Sequence, residues 1–213
     1  MRAVLKQFGL SAATVAALLF VGCNSSSTPA ASDSSTAAKT AEAPPAPVTG
    51  KTAYYPLYKS AFSWSSDALL MKIAAKEIPG FKIEGGKAAV WEVTFASPSK
   101  HLMRTDTYSI TTVLPDIHKG GTAGLPVQWG GQTRDAMPVE ISSSTVDSDA
   151  AYQAAVVDAA DFLKKNPGKP LTDFELGATA KLPQPFWYIV WGDSKSGGYV
   201  VVVDAVTGKV VKK

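Results

Sequence analysis

Cysteine occurs once, as Cys23, and histidine twice, as His101 and His118. A lone cysteine excludes an internal disulfide, so any folded part must be held by its apolar core. Neither histidine has a cysteine or carboxylate pattern beside it, so there is no zinc signature, and both read as solvated loop residues. Charge of one sign is also missing. Lys plus Arg (21) and Asp plus Glu (18) nearly cancel once Arg2 and Lys6 are set aside. No basic cluster is dense enough for nucleic acid, and Lys209, Lys212 and Lys213 read as a solvated end. The apolar run Leu10–Val21, interrupted by Ser11 and Thr14, falls short of the roughly 20 residues a transmembrane helix needs.

What is present begins at the N-terminus. Arg2 and Lys6 precede that apolar run, and Gly22 stands before Cys23. A positive region, an apolar region and a small residue in this order form the plan of a signal peptide, here residues 1–22. Phe20-Val21-Gly22-Cys23 resembles the lipobox of bacterial lipoproteins, with Phe20 in place of the usual Leu. The resemblance implies diacylglyceryl transfer to the Cys23 thiol, cleavage before it, and attachment of the mature chain to a membrane through lipid such as palmitate. Asn24 next to the cysteine resembles lipoproteins sent on to the outer membrane of diderm bacteria. A plain secreted protein or an uncleaved signal anchor are the alternatives. The placing of the sole cysteine favours lipidation. Each buried methylene contributes about 0.8 kcal/mol, so two or three chains anchor stably where one is marginal.

Residues 23–50 are almost wholly Ser, Thr, Ala and Pro, with Asp33, Lys39 and Glu42 as the only charges. With no periodic apolar face this stretch is expected to be a disordered linker. A flexible coil of about 27 residues has a root-mean-square reach on the order of 30 Å.

Residues 51–213 have the length of one substantial domain or two small ones. Patterning predicts an α+β fold of two helix-plus-antiparallel-sheet (αβββ-like) units, 51–138 and 139–213. In the first, Tyr54, Tyr55, Tyr58, Phe62 and Trp64 read as an arm. Ser65 or Ser66 reads as the N-cap of a helix through Leu69, Leu70, Ile73 and Ala74, which Pro79-Gly80 stops. Strands are expected near Ile83, over 90–95 with Trp91, Val93 and Phe95 on one face, and over 107–113. In the second, Ser148-Asp149-Ala150 opens a helix through Leu163 that Pro167-Gly168 ends. Strands follow near 171–176, 187–191 and 199–203, then a turn at 204–208 and a short strand 209–211.

The run Tyr199–Asp204 followed by Ala205-Val206-Thr207-Gly208-Lys209-Val210, with Trp187, Ile189 and Trp191 before it, resembles the last hairpin of PepSY modules. The likeness covers about residues 147–213. The first half shares the order but not this ending, so a tandem pair is a further expectation. The resemblance implies small extracytoplasmic modules that bind proteins or restrain peptidases without catalysis. Asp204 and Gly208 read as turn formers.

No catalytic set survives inspection. Ser97-Pro98-Ser99-Lys100 matches Ser-x-x-Lys, but that chemistry places the Ser at the start of a helix, and here Pro98 falls in a turn between strands. Gly120-Gly121-Thr122-Ala123-Gly124 lacks the Gly-Lys-Ser/Thr ending of a phosphate loop. The long Gly-rich segment 114–138 holds Trp129, Gln132 and Arg134, residue types favoured at interfaces. These three are the candidate interaction residues, beside the alternative that Trp129 simply packs the loop onto the core. The sequence thus points to a lipid-anchored envelope protein that needs no cofactor or metal and binds a protein or peptide. A small-ligand carrier and a cell-envelope hydrolase are the alternatives.

Overall fold

The computed structural model describes residues 45–113 and 115–211. The signal segment, Cys23, nearly all of the linker and Leu114 lie outside them. By its contacts the chain divides into Met1–Glu42 and Ala43–Lys213, and the described residues belong to the second part.

In chain order the elements are α1 (Gly50–Trp64), β1 (Leu69–Lys76), β2 (Val90–Ser97), β3 (Leu102–Ser109), β4 (Gly120–Thr122), β5 (Val127–Gln128), α2 (Ser148–Asp158), α3 (Ala160–Lys165), β6 (Leu171–Gly177), β7 (Phe186–Trp191) and β8 (Tyr199–Asp204). The strands form one antiparallel sheet, ordered β4-β3-β2-β1-β6-β7-β8, with β5 also on β3. The fold is therefore α+β and mostly sheet. β1 pairs β6 at Ile73–Leu176 and Ala74–Glu175, so the sheet runs unbroken from one half of the chain into the other.

Alternation along the strands decides which side chains meet the helices. Trp91, Val93 and Phe95 of β2, Phe174 and Leu176 of β6, Trp187, Ile189 and Trp191 of β7, and Val201 and Val203 of β8 share one buried cluster with Ala53, Leu57 and Ala61 of α1 and Ala151 and Ala155 of α2. Trp91 and Trp187 meet edge to face with ring centroids 6.3 Å apart, and Phe174 lies 5.2 Å from Trp187.

The same detail occurs at the start of each half. The Trp91 indole donates to the Val48 carbonyl (2.9 Å), and the Trp187 indole donates to the Val146 carbonyl (3.1 Å). Val48 and Val146 each stand two residues before a helix, α1 or α2. The two helix starts also touch. The Gly50 N–H donates to Ser148 Oγ (2.9 Å), and the Lys51 N–H donates to Asp147 Oδ1 (3.1 Å). Gly50 is needed there, because a Cβ would lie 2.8 Å from the Trp187 ring.

Several expectations are corrected. The stretch read as a helix through Leu69, Leu70, Ile73 and Ala74 is strand β1. A register shift between Leu70 and Lys72 turns both Leu70 and Ile73 toward the core. A bulge thus imitated the three-residue spacing of a helix. The residues read as an arm form α1, with Pro56 inside it. The strand expected at 107–113 is β3, which ends at Ser109. There the Ser109 hydroxyl accepts from the Thr111 N–H and donates to its carbonyl, turning the chain away. Around Ile83 there is no strand, only the isolated bridges Ile78–Phe81 and Glu84–Lys87. His118–Gly121 is not loop throughout, since Gly120–Thr122 is β4. The cap of α2 is Asp147, one residue ahead of the expected triplet, and Ala159 separates α2 from α3.

The expected strands of the second half are present. So is the final turn, where Asp204 Oδ1 accepts from the N–H groups of Val206 (2.7 Å) and Thr207 (2.9 Å), and Gly208 takes a positive φ. The last strand reduces to the bridge Val203–Val210.

Candidate functional site

Helices α1 and α2 cover one face of the sheet. The opposite face carries a cleft at the end where the β2–β3 hairpin, the start of β1, the end of β6 and the start of β7 come together. Its volume is about 870 Å³. Chain alternation brings Met71 from β1, Met103 from β3, and Phe186 and Tyr188 from β7 to its walls, with Trp129 from the segment after β5. Polar groups on the floor are paired with one another. Lys72 Nζ lies 3.3 Å from Glu175 Oε2 across the β1–β6 seam, and the hydroxyls of Thr94 and Thr105 are 3.0 Å apart. Asp135 stands at the rim.

The segment 129–139 encloses the cleft because its backbone is tied to three places. The Trp129 N–H donates to the His101 carbonyl (2.9 Å), and the Met137 N–H to the Ala178 carbonyl (2.9 Å). The Val139 N–H donates to the Leu70 carbonyl (2.7 Å), and the Arg134 carbonyl accepts from Ala180 N–H (2.8 Å). Upstream, Gly124 lies so close to β3 that a Cβ would sit 2.0 Å from the Thr105 carbonyl oxygen. Its N–H donates to Asp106 (3.1 Å).

Of the three expected interaction residues, Trp129 is half-buried against the cleft, whereas Gln132 and Arg134 are exposed and do not line it. Met71, Met103, Phe186 and Tyr188 escaped sequence reading. The available signal was β7, Phe186-Trp187-Tyr188-Ile189-Val190-Trp191, which is apolar or aromatic at both parities. A strand with only one covered face alternates with polar residues.

The Ser-x-x-Lys stretch forms the turn between β2 and β3. Ser97 is fully buried, and its hydroxyl donates to Asp67 Oδ1 (2.8 Å). Asp67 also accepts from the Ser65 hydroxyl (2.6 Å) and the Ser99 N–H (2.7 Å). Those bonds, the one from Ser65 first, hold the Asp67 carboxyl well below the ordinary value of 3.8. Lys100 Nζ reaches the Trp64 carbonyl. The arrangement locks a turn and offers no free nucleophile beside a base. His101 sits in that turn at φ 53°, and both histidines are exposed.

A second polar cluster lies under α1. Arg104 and the fully buried Asp106 pair at 2.8 Å, and Arg104 also donates to Ser60 (3.0 Å) and lies over the Trp64 ring. Burial pushes the Asp106 carboxyl above its ordinary value, against the Gly124 N–H and the Arg104 charge. Helix α1 closes this cluster from solvent. It is structural.

Among the described residues no group of three or more His, Cys, Asp or Glu is placed to hold a metal, and no helix is long and apolar enough to cross a membrane. Comparison with protein-family models, curated proteins and solved structures finds no match.

Proposed function

We propose that the protein is an extracytoplasmic lipoprotein, anchored through Cys23, whose folded part is a non-catalytic binding module for a protein or peptide segment of the cell envelope. The cleft on the uncovered sheet face carries this reading. Thioether and aromatic side chains line it, the floor polar groups already satisfy one another, and a strapped segment holds Trp129 at its wall. Methionine adapts to differing apolar partners, and Tyr and Trp serve as anchors that bury area at small cost in entropy.

The same reading takes the halves as a tandem of PepSY-like units, in each of which helix precedes antiparallel strands, α1 before β1–β5 and α2 and α3 before β6–β8. It is supported by the two Trp-to-carbonyl bonds placed alike before α1 and α2, and by the closing turn at Asp204–Gly208. Restraint of a peptidase is the activity that resemblance implies. The outer membrane, facing the periplasm, is the location that Asn24 favours.

The test is crosslinking in the intact envelope, with a photoreactive amino acid in place of Tyr188 or, as control, of the exposed Val157 on α2. One discrete protein adduct from position 188, absent from 157 and weakened by Cys23→Ala, is the expected result. Equal labelling from both positions, or none from 188, defeats the reading.

The volume of about 870 Å³ favours one alternative, a small envelope ligand, since it falls within the range of small-molecule sites. A thermal shift with one metabolite of a panel, lost in Tyr188→Ser, would select it.

A further inference from the structure

Helix α1 has a second apolar face. Its buried side chains, Ala53, Tyr54, Leu57 and Ala61, meet the sheet. On the outside Tyr55, Tyr58 and Phe62 recur at intervals of three and four residues and are 62%, 42% and 54% exposed. They continue one another, with the Tyr58 ring tilted against those of Tyr54 and Phe62 at 5.6 and 6.2 Å. Lys59 stands exposed within the stripe, and α1 contains no acidic residue. Lys51, the other cation of the helix, is taken up by the Ser144 carbonyl. Glu140, exposed on the neighbouring 138–142 segment, lines the same groove as Tyr55 and Tyr58.

An aromatic stripe with a cation and no acid on its own helix has the composition of a surface that rests at a membrane interface. There ring bodies enter the headgroup region, hydroxyls stay wet, and lysine meets anionic lipid. The chain length outside this element points to the same occupant. Cys23 precedes the first residue of α1 by 27 positions, so a lipid on that thiol keeps α1 within about 90 Å of the bilayer even at full extension. Such confinement raises the effective concentration of lipid at a patch that itself binds membranes from solution.

We propose that the Tyr55–Tyr58–Phe62 face of α1 docks on the anionic lipid surface to which the chain is tethered. The cleft lies on the sheet face opposite the helices, so this docking points it away from the bilayer, toward the compartment. The stripe's lipid affinity is independent of the anchor. The orientation it gives rests on the lipidation reading.

The experiment uses Ala43–Lys213, the contact unit that contains every described strand and the whole buried core, so no lipid or signal segment contributes. It is co-sedimented with vesicles of phosphatidylglycerol and phosphatidylethanolamine, and with vesicles of phosphatidylcholine alone. Binding to the anionic vesicles is expected, weakening with salt, and falling tenfold or more in Tyr55→Ser/Phe62→Ser and severalfold in Lys59→Glu. Val157→Ser, on α2, should bind as the parent does. Near-ultraviolet circular dichroism verifies that the variants keep their core. No anionic binding at millimolar lipid overturns the proposal, as does equal binding by the stripe variants. Self-association that the stripe variants abolish, without vesicle binding, assigns the face to a second copy and also overturns it. Labelled-palmitate incorporation into the full chain and its Cys23→Ala variant tests the anchor separately, so failure of either idea can be told from failure of the other.

Discussion

On the helix side of the sheet, Trp91, Phe174 and Trp187 meet one another and are sealed from water. On the other side Met71, Met103, Phe186 and Tyr188 border open space. Both sides spend large side chains, but differently. The covered face satisfies its indole N–H groups on the Val48 and Val146 carbonyls and tolerates no gap. The cleft face pairs its polar groups sideways, Lys72 with Glu175 and Thr94 with Thr105, and leaves its apolar groups unfilled. The first pattern stabilises a fold, and the second leaves a cleft with apolar walls open to solvent. Substitutions should therefore divide by face.

The largest effect belongs to the covered face. Trp187→Ala removes a fully buried ring, opens a cavity between Trp91 and Phe174, and leaves the Val146 carbonyl with only the longer bond from the Ser144 hydroxyl (3.4 Å). A loss of about 3–5 kcal/mol is expected, read from urea denaturation. Trp91→Ala should cost a similar amount. Because the two rings touch, the double variant should depart from additivity by about 0.5–3 kcal/mol. Additive losses would mean that the two halves hold their cores separately.

At the edge of the same face, Asp67 gives a pH signature. Its carboxylate accepts three bonds at the β2–β3 turn, so its folded pKa lies below the ordinary 3.8. A depressed acid contributes stability in full above the unfolded value and loses it as pH falls through the folded one. Asp67→Asn should lower stability at neutral pH and flatten its decline below about pH 4. Urea midpoints measured from pH 7 to pH 2 check both parts. An unchanged acid slope would assign that decline to other carboxylates.

The covered face was also the more legible one. Trp91, Val93 and Phe95 show their common side by simple alternation, and all three are buried. The helix and strands of the second half follow from Pro167-Gly168 and from β-branched runs. The first half misled for two physical reasons. The bulge in β1 put Leu70 and Ile73 on one side at helical spacing, and the outer aromatic stripe of α1, with Pro56 within it, hid the amphipathic pattern a helix normally shows. The cleft was hardly legible, because four of its walls come from residues far apart in sequence that only strand order brings together. Trp129, singled out from its residue type and loop, lines the cleft. The exposed side chains of Gln132 and Arg134 had nothing but their type to recommend them, and they lie outside the cleft lining.

On the cleft face, Tyr188→Ser should separate stability from binding. The side chain is half-buried, so the loss of stability is expected to stay near 1 kcal/mol, against several for Trp187 one residue away. Adduct formation from a photoreactive group at position 129, or a ligand-dependent thermal shift, should fall tenfold or more. A stability loss as large as that of Trp187→Ala would show that the cleft wall is core, and the contrast between faces would fail.

The smallest effect is expected at the seam. Lys72 and Glu175 pair at 3.3 Å with side chains 48% and 35% exposed. An ion pair so open to solvent contributes about 0–1 kcal/mol, because water screens the attraction and ordering two long side chains opposes it. Lys72→Ala should therefore leave the urea midpoint nearly unchanged. It also removes the one cation from the cleft floor and frees the Glu175 carboxylate. If the partner is apolar, affinity changes little. If the partner carries a carboxylate or a C-terminus, affinity falls severalfold and loses part of its salt dependence. Binding measured at two ionic strengths distinguishes these outcomes. A large stability loss would instead show that β1 and β6 depend on this pair rather than on Ile73 and Leu176 beneath it.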